Sequence, residues 1–197
     1  VPLLSGGQQL LEPLGRRPDE GHPGWLVLPE EVTSYEIGLK SDFFDGLLRL
    51  NAAVFYNEIV NKQSSIVAVL GGGVIQFTNA EDTEIKGVEF DLVTSPLPNW
   101  NPGFTITANA AYLDGEYKKF TNGDGFDEET GVFVDGIDHS GNEIERTPKL
   151  SGGLALIQLF NLPWGDEFEV AVDAYYNSGF FYSAQNSDIY TEDKYTI

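Results

Sequence analysis

The chain has 197 residues, of which 31 are acidic and 11 basic, for a net charge of −20, and it contains neither cysteine nor methionine. That balance excludes a nucleic-acid surface, which needs clustered Lys and Arg to displace counterions. Missing cysteine excludes disulfide frameworks, thiolate metal sites and thiol nucleophiles, and no apolar run reaches the roughly 18 residues of a membrane-spanning helix. The start at Val1, with no preceding charged-then-apolar leader, reads as a piece of something longer.

Residues 1–31 show no period, carry Arg16-Arg17 and scattered Pro and Gly, and read as a loop descending into the first strand. From there alternation at period two dominates, and it predicts six strands. Around 33–41, Tyr35, Ile37 and Leu39 oppose Ser34, Glu36, Gly38 and Lys40. A two-residue hairpin at Asp45-Gly46 leads to a run in which Leu48, Leu50, Ala52, Val54 and Tyr56 oppose Arg49, Asn51, Ala53, Phe55 and Asn57. A long link near 61–80 holds Gly71-Gly72-Gly73, which lacks the following Lys-Ser/Thr of a phosphate loop and reads as a loop tip. Val88, Phe90 and Leu92 then oppose Glu89 and Asp91. After the compact turn of residues 95–102, Phe104, Ile106, Ala108 and Ala110 oppose Thr105, Thr107 and Asn109. A second long link covers about 120–146. Leu150, Gly152, Leu154 and Leu156 share a face of the fifth strand. A short turn at residues 161–166 precedes the sixth, where Phe168, Val170, Val172, Ala174 and Tyr176 oppose Glu169, Ala171, Asp173 and Tyr175.

Antiparallel strands joined in sequence put every second connection at the same end. Short turns therefore gather at one end and long loops at the other, the asymmetry of outer-membrane barrels. Runs of about 15 residues exceed the ~5–6 usual in soluble sheets. Trp100 and Trp164 fall on the short-turn side, while Tyr56, Tyr112, Tyr117, Tyr175, Tyr176, Phe180, Phe181 and Tyr182 fall toward the long loops, as two aromatic girdles would. The expected fold is all-β: part of an antiparallel up-and-down transmembrane β-barrel, with strands over 32–186, long extracellular loops near 61–80 and 120–146, and a loop or the next strand over 187–197. A soluble β-sandwich carbohydrate-binding module and a passive porin are the alternatives.

The segments Pro29–Lys40, Asp45-Gly46 and Arg49–Asn57 resemble the barrel region of TonB-dependent receptors. So do Asn79-Ala80-Glu81 with Ile85–Phe90, Ala111–Asp114 with Tyr117 and Phe120, and Arg146-Thr147-Pro148. The resemblance spans about residues 29–186. It implies an outer-membrane location in a Gram-negative bacterium and a 22-strand barrel plugged by a domain that this sequence does not show. It also implies active uptake of a scarce nutrient, an iron–siderophore complex before others, with energy delivered by TonB through the plug. The expected partners are therefore outer-membrane lipid, the plug and remaining strands, TonB and the ligand. The resemblance implies no catalysis.

Candidate sites weigh little. Residues 121–145 carry eight carboxylates (Asp124, Asp127, Glu128, Glu129, Asp135, Asp138, Glu143 and Glu145), five glycines and no Lys or Arg. Phe126 breaks the calcium-loop template begun by Asn122 and Asp124, so a solvated, mobile loop is expected and no metal or cofactor. Glu36, Glu89, Asp91, Glu169 and Asp173 lie on predicted lumenal faces of different strands, a hydrated wall countered by Lys40 and Arg49 rather than a catalytic pair. Tyr175-Tyr176 and Phe180-Phe181-Tyr182 could stack on a ligand but read as interface anchors. His22 and His139 are expected on exposed loops. No ligand-binding residue is assigned.

Overall fold

The computed structural model describes residues 28–68, 74–79, 82–121, 123–193 and 195–197. The leading segment with His22, the Gly71-Gly72-Gly73 tip, Ala80-Glu81 and Asn122 lie outside the described residues.

Six long strands build one antiparallel sheet: β1 (Glu31–Phe43), β2 (Leu48–Val60), β5 (Asp82–Thr94), β6 (Phe104–Lys119), β9 (Leu150–Asn161) and β10 (Glu167–Asn177). They pair strictly in sequence order, β1-β2-β5-β6-β9-β10, and β13 (Tyr195–Thr196) adds to the far edge. The long connections carry small sheets of their own: β3 (Gln63–Ala68) with β4 (Val74–Asn79), β7 (Gly123–Phe126) with β8 (Phe133–Ile137), and β11 (Phe180–Phe181) with β12 (Thr191–Glu192). Strands of 11–16 residues joined this way make a continuous piece of up-and-down barrel wall.

Register carries the alternation across the whole sheet. Ile37, Val54, Val88, Tyr112 and Leu150 stand opposite one another in one row. Leu50, Leu92, Ala108, Leu154 and Ala174 make another, and Leu48, Thr94, Ile106, Leu156 and Val172 a third. Among the described residues no second layer covers this apolar face: Ile37 is 82 % exposed, Val54 57 % and Val172 64 %. A sandwich seals such residues between two sheets, so that alternative fails. The apolar rows end abruptly toward the long loops, where the next rows read Tyr35, Tyr56, Lys86, Asp114 and then Thr33, Glu58, Glu84, Glu116, Glu143. Lys86 bridges Glu84 and Asp114 at 3.5 and 3.2 Å, and Lys118 reaches Glu116 at 3.4 Å. From Leu48 to Tyr56 is about 27 Å along the strand at ~3.4 Å per residue, or about 21 Å of height at the usual barrel tilt, close to the ~25 Å apolar band of an outer-membrane barrel. Trp100 and Trp164 project from the short turns at the opposite boundary, both largely exposed.

Two connections differ from the sequence expectation. The β1–β2 turn is not a two-residue hairpin. Phe43 pairs with Leu48, leaving four loop residues, and Phe44, Asp45 and Gly46 take φ of 54°, 55° and 88° in succession. Three consecutive left-handed residues let Gly46 N and Leu47 N each donate to a carbonyl three residues back, at 3.2 Å. The acidic 120–146 connection, expected as a loop, stays exposed over residues 126–132 but carries the regular β7–β8 hairpin. Its buried Phe120 and Ile144 join Tyr117 of β6, with Ile85 and Ala184 against them, in the hydrophobic core found among the described residues. The core thus sits at the loop end, above a single-layer wall.

Candidate ligand vestibule

Opposite the bare apolar face lies a polar one. Lys40, Asn51, Asp91, Asn109, Gly153 and Tyr175 share a row, and Asn51 Nδ2 donates to Asp91 Oδ1 at 2.9 Å. Glu36 belongs to a row with Phe55, Gly87 and Leu113, and Glu89 to one with Gly38, Ala53, Ala111 and Ser151. Asp173 and Glu169 stand on β10, with β6 and β9 between them and Glu89 or Asp91 on β5. The five carboxylates share a face but do not converge, so no general acid–base pair is assembled. Arg49 is not a counter-charge to them: it pairs with Asp42 at 2.9 Å, next to the β1–β2 turn. Tyr175 faces this inner side and Tyr176 the apolar one, a split that alternation dictates.

The long-connection end closes over this face. His139, expected on an exposed loop, is 1 % exposed. Its ring seats against Gly123, where an added Cβ would come within 2.1 Å. Nε2 hydrogen-bonds the Asp124 carbonyl at 2.9 Å and the ring meets Phe120 edge-on at 5.2 Å. Tyr117 is equally buried instead of standing in a girdle, because its position on β6 carries it beyond the apolar band and under the loops. Its hydroxyl donates to Glu145, and Lys62 donates to both, at 3.3 Å to the Tyr117 oxygen and 3.4 Å to Glu145 Oε1. Burial and the Glu145 carboxylate together push the Tyr117 hydroxyl well above its ordinary pKa. For Glu145 burial works upward, but the Tyr117 hydroxyl and the Lys62 ammonium outweigh it and hold the carboxyl below its usual range.

Two of the remaining loop carboxylates hold turns. Asp127 Oδ1 accepts from Thr130 N at 2.7 Å and from its hydroxyl at 2.6 Å, and Asp138 Oδ1 accepts from Ser140 N at 2.9 Å. Those bonds lower both pKa values. Among the described residues no three Asp, Glu or His side chains are grouped to hold a metal ion.

The acidic connection is fastened to the segment after β10 by side-chain amides. Phe126 N donates to Gln185 Oε1 at 2.9 Å while Gln185 Nε2 donates to Phe126 O at 2.6 Å. Glu143 N donates to Asn186 Oδ1 at 2.6 Å and Asn186 Nδ2 to Glu143 O at 2.9 Å. Asn142 Nδ2 reaches Ala184 O at 2.8 Å, and Arg146 N reaches Phe181 O at 2.8 Å. Phe180 packs edge-on against Tyr182 at 5.1 Å, whose hydroxyl donates to Glu192 at 2.5 Å. These aromatics belong to the loop assembly beyond the end of β10. Sequence reasoning did not find Gln185, Asn186 and Lys62, whose partners lie 43 to 83 residues away. No local spacing announces them.

The family described as "TonB dependent receptor-like, beta-barrel" matches residues 25–197. The chain is 31 % identical over 129 residues to the probable TonB-dependent siderophore receptor PiuA of Acinetobacter baumannii, covering 66 % of this chain and 16 % of that protein. It is 33 % identical over 95 residues to the ferric-pyoverdine 358 receptor of Pseudomonas putida, covering 47 % of this chain and 12 % of that one. The chain thus spans about an eighth to a sixth of the length of these relatives. Among solved structures, the siderophore receptor PiuA from Acinetobacter baumannii superposes with a TM-score of 0.61 at 26 % identity, over 85 % of this chain and 21 % of that one. The ferric yersiniabactin uptake receptor FyuA from Yersinia pestis does so with 0.59 at 15 % identity, over 85 % and 21 %, a likeness of fold alone.

Proposed function

Since the chain belongs to the TonB-dependent receptor-like β-barrel family, we propose that it forms part of the wall and outer vestibule of a receptor in the outer membrane of a Gram-negative bacterium. The receptor takes up a ferric siderophore, and neither a passive porin nor an enzyme describes its role. The observation that carries this reading is the two-sidedness of the sheet. One face is apolar and bare over a height that matches a bilayer, the other is polar, and the loops that rise from it are folded and tied together. The bare face meets lipid, the polar face walls a hydrated lumen, and the loops form the rim that a ligand reaches first. Similarity to siderophore receptors supports the ligand class. Transport against a gradient is assigned to the complete receptor, with its plug and TonB, and this segment has no catalytic step.

The test is uptake of radiolabelled iron from hydroxamate, catecholate and mixed-ligand siderophores. Iron-starved cells lacking their own receptor are complemented with the complete receptor carrying this segment. Uptake of at least one chelate that depends on TonB is expected. Uptake equal to that of receptor-free cells for every chelate, from a barrel shown to be inserted, would remove the siderophore assignment.

A further inference from the structure

Apart from the β1–β2 turn, the described residues hold three non-glycine positions with left-handed backbone: Asn61 at φ 57°, Arg146 at 56° and Asn186 at 55°. Such conformations are uncommon, tolerated by Asn and disfavoured for Arg, and they persist where surrounding contacts over-determine them. Each sits on a different outer connection, and their surroundings meet. Asn61 precedes Lys62, which holds Glu145, the neighbour of Arg146. Arg146 N is bonded to Phe181 O, and Asn186 clasps the backbone of Glu143 in both directions. The foot of the 61–81 connection, the acidic connection and the segment after β10 are therefore tied at one knot.

We propose that these three outer connections form one preassembled lip, with the knot of Lys62, Glu143–Arg146 and Ser183–Asn186 as its joint, so that a ligand held by one connection is met by all three. Asn186 and Gln185 are positioning residues in this lip. They bind backbone through neutral amides, so the join does not depend on salt, whereas the Lys62–Glu145 contact adds a charged tie to the third connection. A preassembled lip also spares a ligand the ordering cost that three independent loops would impose. The inference rests on the barrel reading above only in requiring a complete, inserted barrel.

Hydrogen exchange measured by mass spectrometry on the complete receptor in lipid nanodiscs tests it. Asn186→Gly keeps the left-handed backbone and deletes both bonds to Glu143, and a double variant adds Gln185→Ala. Amides of residues 123–137, on a different connection, are expected to exchange about tenfold faster in the single variant and faster again in the double, given the usual worth of a hydrogen bond. Asn186→Asp, which still accepts from Glu143 N, is expected to recover part of the protection. Unchanged exchange at residues 123–137, or acceleration confined to residues 183–190, would overturn the lip while leaving the uptake reading standing. Failure of the parent receptor to insert, read by heat-modifiable electrophoresis, would instead sink the barrel reading.

Discussion

Ala52 stands near the middle of the apolar face, in register with Leu39 and Phe90, four residues from Leu48 at one boundary and four from Tyr56 at the other. Replacing it with arginine puts a guanidinium at the depth where a charge on the lipid face of an outer-membrane barrel costs roughly 2–4 kcal/mol. At 1.4 kcal/mol per factor of ten, that is about thirtyfold to seven hundredfold in the folding equilibrium. Asn51, the adjacent residue, faces the opposite side beside Asp91. Asn51→Arg is therefore expected to change stability by less than about 1 kcal/mol, since a lumenal charge stays hydrated and has a carboxylate within reach. Glu58→Arg, above the apolar rows, is expected to cost about 0–1 kcal/mol for the same depth reason. The assay is guanidinium unfolding of the complete receptor in lipid vesicles, followed by tryptophan fluorescence, with the three variants compared at equal lipid. A neutral Ala52→Arg, or an Asn51→Arg as damaging as Ala52→Arg, would refute the assignment of the two faces.

The Lys62–Tyr117–Glu145 contact fixes a pH window for loop order. Glu145 has a lowered folded pKa, so its contribution is fully present above the ordinary carboxyl range near 4.5 and is lost as pH falls through the folded value. Tyr117 has a raised one, so its contribution is present below about 10 and lost as pH rises beyond it. Amide protection of residues 117–145 is expected to fall at both limits, and Glu145→Gln is expected to abolish the acid limb. Gly103→Ala sets a Cβ 2.1 Å from the Leu159 carbonyl oxygen. That oxygen belongs to backbone that also donates to Gly103 O, so a loss of about 1–3 kcal/mol is expected in the same unfolding assay. The isolated chain leaves β1 paired only with β2 among the described residues. Unpaired backbone groups cost several kcal/mol each in lipid, so no heat-modifiable, protease-resistant monomer is expected in detergent or vesicles.

Alternation at period two, together with the short connections at Asp45-Gly46, residues 95–102 and residues 161–166, was enough to place six strands, their two faces and their up-and-down order. Each of those features is written in neighbouring residues, because a strand turns its side chains outward and inward by position alone. Which boundary carries the long loops followed from the same connections. The loop end was another matter. His139 and Tyr117 look like surface residues on their own strings of sequence, and both are buried once the acidic connection folds back over β6. Gln185, Asn186 and Lys62 are polar residues without a periodic setting, and they matter through backbone groups and a carboxylate 43 to 83 residues away. Arg49 faces inward as alternation demands, and the β1–β2 register sets it directly opposite Asp42 on that same face rather than beside Glu36, Glu89, Asp91, Glu169 or Asp173. The sequence by itself determined the wall, since lipid on one side and water on the other impose a pattern on every strand. Only the tertiary structure decided the lip, since its bonds join segments whose meeting no local rule encodes.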